Sequence, residues 1–597
     1  MEYTPGSVVA SQFRQACIDF DIKNQRKVAD LTRTLDATAQ ALVPSIAIRT
    51  EAGQILKLWP DLRKLWRDLA RKQLSFWDNE DSDEEEQDTN EYAVKEEKET
   101  DVLRAMCGAL AKFTRNLVAG VPNNQLRAYE NEPDMRRLLH FYTSWSAMED
   151  AQSVATARVL TQALSNTVTA NEELVGRLWE TYMNLPEDQV VLIRLLASQD
   201  ARTLLTTLIF ILNSIHGNRK RTQLLAKSKV GVRICIGLLD NMVKLHEAEE
   251  GSEGGQAFDI GYSIFTQFIE QGFVPDLYRK FAIASEIVTP HQTTLLKLVD
   301  SYLQSTQSNP ASSAQIPEIL RIHESLGTFL SKRFFTLSEF AQEAMRRSLG
   351  LVSPSRDGAG PSNGANGGRA SSDSEDSSSG SSSSASNQTP VYPRELDVML
   401  PKACEALVLV TQCIITVCLQ AEEQEALLED CLSDYRSFTN LKSYFIRKRR
   451  DDQGIVETLI GVLGLFDQFL PRIQFGKPVN HDGSPMSAAG AGTGTSKPAD
   501  VSGFSYLKRD LVRLLGVLTH GVKDVQDRTR AAGGLPVVMN LCVVDERNPY
   551  LREHAIFTLH GLLRDNPENQ KFVDGVKPSQ EWADDGTLKT KVGAILK

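Results

Sequence analysis

Nine histidines and eight cysteines are the residues from which this chain of 597 could assemble a metal site or a nucleophile. Metal sites need ligands at short, fixed spacings, and a catalytic thiol needs a base within hydrogen-bond reach. Neither pattern occurs. There is no H-E-x-x-H and no C-x-x-C, and His554 and His560, six apart, fall on different sides of a helix. Cys404, Cys413, Cys418 and Cys431 are irregularly spaced in a helical stretch with no histidine close by. They read as buried small residues in a reduced compartment. The run Gly490-Ala491-Gly492-Thr493-Gly494-Thr495-Ser496-Lys497 imitates a phosphate loop, but its spacing is wrong and Pro498 follows where a helix should receive the phosphate. No catalytic, cofactor-binding or metal-ligating residue is assigned, no cofactor is expected, and the chain reads as a non-enzyme.

Chemistry of another kind is written in Ser372-Asp373-Ser374-Glu375-Asp376. Acidic residues directly after Ser372 and Ser374 suit acid-directed kinases, and each phosphate would add roughly −1.5 to −2 of charge for docking on a basic groove. Arg447-Lys448-Arg449-Arg450 is a basic run at a helix end, followed at once by Asp451-Asp452. It reads as helix C-terminal cations rather than a localisation signal. From Pro60 to Trp77, Leu62, Leu65, Trp66 and Leu69 form an apolar stripe with Arg63, Lys64, Arg67, Arg71 and Lys72 on the other faces. Such a helix suits a membrane surface or a partner's groove, but in a stack of helices it simply closes a layer.

The elements that must position these residues repeat. Leu551, Ala555, Leu559 and Leu562 lie along one helical face, with Asn548 and Pro549 at the start and Asn566-Pro567 at the stop. Leu507, Leu511, Leu515, Leu518 and Gln526 match Leu551, Ala555, Leu559, Leu562 and Gln570, each displaced by 44 residues. That period lies within the roughly 40–47 residues of HEAT and armadillo repeats. An earlier copy runs through Leu110, Thr114, Leu117 and Gln125, and a weaker one through Leu208, Leu212, Ile215 and Gln223. The fold expected is all-α: an armadillo/HEAT-like α-α superhelix, a right-handed solenoid of about 10–12 repeats with disordered inserts.

Composition divides the chain. Helical repeats are expected at 1–77, an acidic disordered insert at 78–100, armadillo-like repeats at 101–352, and a Ser/Gly-rich linker at 353–393. Further repeats follow at 394–475, a Gly/Ala/Ser-rich loop at 476–503, and a C-terminal armadillo-like domain at 504–597. Residues 78 to 101 hold thirteen acidic residues and two lysines, which accounts for the whole net charge of −11. Nucleic-acid binding, which needs a clustered basic surface, is not expected. No secretory signal opens the chain, and the apolar run Ala406 to Leu419 falls short of the ~18–20 residues that span a bilayer. Stable membrane insertion is therefore not expected, and a cytoplasmic location is.

The C-terminal segments Asn548-Pro549-Tyr550-Leu551-Arg552-Glu553-His554-Ala555-Ile556, Gly561-Leu562-Leu563 and Asn566-Pro567-Glu568-Asn569-Gln570 resemble the C-terminal domain of the ataxin-10 family, as does Leu588-Lys589-Thr590-Lys591-Val592-Gly593. The match covers about the last hundred residues, and the low-complexity inserts look fungal in style. The resemblance implies a cytoplasmic, non-enzymatic armadillo-type scaffold that binds other proteins and supports cell division. Arg552 and His554 become candidate partner-binding residues. Fungal relatives sometimes carry copper-transport names, but the ten methionines are scattered and no Cys/His cluster accompanies them. Many armadillo proteins grip extended peptides with an Asn just before a buried Leu of the third helix. Asn116 before Leu117 fits, whereas Val517 before Leu518 and Gly561 before Leu562 do not. The alternative function, a transport or trafficking adaptor that recognises peptide segments, would require an acidic or Asn-lined groove for basic peptides, and the missing ladder counts against it.

Overall fold

The computed structural model describes residues 4–78, 89–308, 316–351, 397–429, 440–479, 504–576, 580–582 and 588–590. Ser372, Ser374, Cys431 and the Gly490–Lys497 run lie outside them. The fold is an all-α helical solenoid, and the strands described pair only as three two-stranded hairpins. Two compact units divide the chain: residues 1–282 with 290–298, and residues 283–289 with 299–597. The division falls inside the stretch 101–352.

In the first unit one helix of each repeat packs on its counterpart in the next. Gln25–Ala41, Thr89–Val118, Ala151–Val168, Ala201–Ile215 and Glu253–Glu270 form that series. Each buries a stripe at helical spacing, as Leu103, Met106, Leu110, Phe113 and Leu117 do. The tryptophan helix Leu58–Asp78 closes a layer: Trp59 and Trp66 are fully buried, and Trp66 Nε1 lies 3.3 Å from Thr114 Oγ1. Thr89–Val118 takes in the second half of the acidic stretch, while residues 79–88 lie outside the described ones. Within the Gly/Glu-rich stretch 249–256, Ser252 caps a helix that starts at Glu253.

In the second unit Ile316–Ser348, Leu400–Glu429, Leu507–Thr519 and Leu551–Leu563 pack in the same serial way. The Leu400–Glu423 part is longer than the apolar run read from sequence and meets the length and composition of a membrane-crossing helix. In the structure 72% of that window is buried. The 44-residue displacement is exact in the backbone: Tyr506 (φ 63°) and Tyr550 (φ 65°) both take the left-handed conformation immediately before 13-residue helices. Two expectations for the last repeat need correction. Asn548 does not cap its own helix, which starts after Tyr550; its Oδ1 instead accepts from the Lys508 backbone N–H (3.1 Å) at the start of the preceding repeat's helix. Leu559 is only half-buried, and Thr558 completes the inward stripe with Leu551, Ala555 and Leu562. Thr558 fits there because Gly516 leaves room: a Cβ on Gly516 would meet Thr558 Oγ1 at 2.6 Å.

Candidate interaction surface

Asn116 stands where a peptide-gripping Asn would stand, but its amide is spent on the fold. Nδ2 donates to Ala39 O (2.8 Å) of the preceding helix in the series, and Oδ1 accepts from Arg115 Nε (3.0 Å). Asn166 repeats the device, donating to Arg115 O (3.2 Å) one helix further on. These side chains tie stacked helices together through backbone carbonyls that end-of-helix geometry leaves without partners.

Two other cross-repeat devices escaped sequence reading. Gln125 Nε2 reaches forward to Asn166 O and Thr169 O, both at 2.9 Å, and Gln526 Nε2 reaches Gly561 O (2.9 Å) and Arg564 O (3.4 Å). At the weaker copy Gln223 is exposed, and Arg219 Nη1 makes the forward contact instead, to Gln271 O at 2.7 Å. Arginines of one helix also pair with acids at the start of the next: Arg104 with Asp150 (2.8 Å), Arg158 with Asp200 (3.0 Å), Arg202 with Glu253 (2.6 Å). Burial alone would raise the Asp200 carboxyl, but hydrogen bonds from Thr203 and the charge of Arg158 hold it below the usual carboxylate range. The signal available in sequence was an acid at each helix start with an arginine one repeat earlier.

The C-terminal candidates separate. Arg552 is exposed, whereas His554 is half-buried and lies within the electrostatic reach of Arg513 and Arg509. Burial first, then those two guanidinium groups, push the His554 imidazole below its usual value, so it is neutral at pH 7. Arg509 is neutralised by Asp510 (2.7 and 3.0 Å) and lies 4.4 Å over the Tyr506 ring. Arg513 is exposed and has no carboxylate partner among the described residues. Phe557, one turn beyond His554 and 44 residues beyond Arg513, is 75% exposed. Val517 and Gly561 complete the two helical faces, and a Cβ on Gly561 would meet nothing within 4 Å. The result is a shallow ledge with one free guanidinium, one open aromatic ring and a flat glycine step.

The remaining groups are a surface hollow and a set of buried thiols. A hollow of about 540 Å³ in the first unit is lined by His140, Thr143, Trp145, Met148 and Arg194, with Trp145 87% exposed. Arg194 there is spent on His140 O and Asp188 O. Among the described residues no three His, Cys, Asp or Glu could hold a metal ion. Burial pushes the thiols of Cys107, Cys235, Cys404 and Cys418 far above their ordinary value, the opposite of an activated nucleophile.

The family model described as the spinocerebellar ataxia type 10 protein domain matches residues 507–595, starting at the first residue of the Leu507–Thr519 helix. An ataxin-10 homolog from Candida glabrata is 27% identical over 177 residues, 27% of this chain and 32% of its own length. The homolog from Kluyveromyces lactis is 37% identical over 92 residues, 15% of this chain and 17% of its own. Ataxin-10 from Bos taurus is 28% identical over 193 residues, 31% of this chain and 37% of its own. The chain thus spans about a third, or less, of the length of the curated relatives it matches. A crystal structure of an engineered protein aligns over 93% of this chain and 98% of its own at 12% identity and a TM-score of 0.31, too loose to carry an argument.

Proposed function

We propose, for a chain that belongs to the ataxin-10 family through its C-terminal domain, a non-enzymatic scaffold that binds protein partners in the cytoplasm and supports cell division. The observation that carries this reading is the ledge of Arg513, His554 and Phe557, which presents a cation unpaired among the described residues and an open aromatic ring on two packed helices. Exposed aromatic and arginine side chains are the groups that dominate protein interfaces. Their chemistry suits a peptide segment with an acidic residue beside an apolar one. The spent amide of Asn116 weighs against an adaptor that reads peptides through an Asn ladder.

The test is an exchange of the natural gene copy for the variant R513E/F557A in dividing cells, with partner recovery measured beside growth. Loss of partners and of division, with an unchanged melting temperature, supports the reading. A folded variant that keeps every partner and divides normally overturns it.

A further inference from the structure

The basic run at 447–450 starts at a helix end, as expected, with Arg447 in the last turn and Lys448 at the cap, and then continues into a hairpin. Leu441–Arg447 ends, and Arg449–Arg450 pairs with Gln453–Gly454 across a two-residue turn in which Asp451 (φ 49°) and Asp452 (φ 64°) are left-handed. The hairpin lies against the middle of Ile316–Ser348: Arg450 Nη1 is 3.4 Å from Thr336 Oγ1, and Arg450 pairs with Glu339 at 3.2 Å. Lys448 sits 5.6 Å over the Tyr444 ring, whose hydroxyl lies 3.3 Å from both Thr328 Oγ1 and Ser331 Oγ. Exposed Lys332 is on the same stretch of that helix, between Ser331 and Thr336. Arg447 and Arg449 spend one nitrogen each on backbone carbonyls. Lys332, Arg447, Lys448 and Arg449 therefore form a patch of four cations with no ion-pair partner among the described residues. Of the acids around it, Glu339 and Asp451 pair with Arg450 at 3.2 and 3.6 Å, and Glu457, which also feels the charge of Arg449, is held by two nitrogens of Arg528 at 2.9 Å.

We propose that this patch is the docking site for the chain's own segment Ser371–Asp376 once Ser372 and Ser374 are phosphorylated. An acid-directed serine kinase would transfer the γ-phosphoryl group of ATP to each serine Oγ, forming the O–P bond, breaking the bond to the β-phosphate, and releasing ADP and the hydroxyl proton. Asp373, Glu375 and Asp376 already give the segment three negative charges, and two phosphates add roughly three to four more. The tether fits. Arg347 pairs with Asp397 at 3.0 Å, so the 45 residues from 352 to 396 leave and return beside the end of Ile316–Ser348. From there back to Lys332 is 16 helical residues, about 24 Å at 1.5 Å each. The 21 residues from Leu351 to Ser372 reach at most about 70 Å. Tethering of this kind gives effective concentrations on the order of millimolar, so weak phosphate–cation contacts suffice. The proposal does not depend on the C-terminal ledge.

The test uses the full chain carrying S372A/S374A and a fluorescent peptide of residues 368–380 phosphorylated on Ser372 and Ser374. Fluorescence polarisation is expected to show at least tenfold tighter binding than for the unphosphorylated peptide, and at least tenfold loss with K448E/R449E or the gentler K448Q/R449Q. The chain phosphorylated in place is expected to exclude the peptide at every protein concentration. Equal binding to the charge-reversed and natural patches, or equal binding of a scrambled phosphopeptide, overturns the proposal. Exclusion that grows with protein concentration overturns it too, since the occupant would then be a second copy.

Discussion

The side-chain amide of Gln526 lies 2.9 Å from the carbonyl oxygen of Gly561, thirty-five residues onward and in the next repeat. Gln526 is only 5% exposed, so Gln526→Ala leaves two carbonyls at the end of Leu551–Leu563 without their donor. The expected cost is about 1–3 kcal/mol, the penalty for stranding buried polar groups. Gln223→Ala, at the matching but exposed position, is expected to stay within about 0.5 kcal/mol. Urea unfolding compares the two, and hydrogen exchange should show faster opening of residues 551–574 in the first variant alone.

Asn116→Ala separates a structural amide from a peptide-gripping one. Loss of the 2.8 Å bond to Ala39 O is expected to cost about 1 kcal/mol of stability. Partner recovery from the folded chain should be unchanged. Selective loss of a peptide partner with unaltered melting would show that the Asn ladder operates after all.

Asp200 has two duties and Arg158 one. The carboxylate accepts from Thr203 N (2.9 Å) and Thr203 Oγ1 (2.6 Å) at the start of Ala201–Ile215, besides pairing with Arg158. Asp200→Ala is expected to cost about 1–2 kcal/mol as a lost helix cap. Arg158→Ala breaks a pair whose side chains are 23% and 33% exposed, and less than about 1 kcal/mol is expected. Because the Asp200 carboxyl is held low, its contribution is present above the unfolded carboxylate range and lost as pH falls through the folded value. Equal costs for the two variants would refute the division of labour.

His323 is 1% exposed, both ring nitrogens lack a hydrogen-bond partner among the described residues, and burial pushes its pKa down to about 4. The folded state therefore binds fewer protons than the unfolded one between pH 6.5 and about 4, and stability falls as pH falls through that window. The loss is about 3 kcal/mol at full extent, an order-of-magnitude figure. His323→Leu is expected to flatten that part of the curve. Asp300, raised by burial to about 6, contributes the opposite slope in both proteins and cancels in the comparison. Parallel curves for the two proteins from pH 7 to 4.5 would exclude this role for His323.

Helix type and repeat period were legible because apolar spacing and a displaced copy need only local sequence. Leu507 and Leu551 start equivalent helices for that reason. What sequence could not show was where long polar side chains terminate. Asn548 looked like a cap for its own helix and instead caps a neighbour, since a short amide serves whichever orphan N–H lies nearest in space. Asn116 does precede a buried leucine, yet a carbonyl on the previous helix claims its amide. The ledge was half visible: His554 was named, but Arg513 and Phe557 join it only when two helices 44 residues apart are packed together. The basic hairpin was hidden because two aspartates in left-handed conformations are a turn only once the flanking arginines pair.

Gly561 sits in open space at the position before a buried leucine, within a helix where glycine is a poor former. An asparagine placed there gains a few tenths of a kcal/mol in helix propensity, and its Cβ enters open space. Specificity at this step can therefore be rewritten without the loss of stability that new binding groups usually bring, which makes the C-terminal repeat a ready acceptor for engineered peptide recognition.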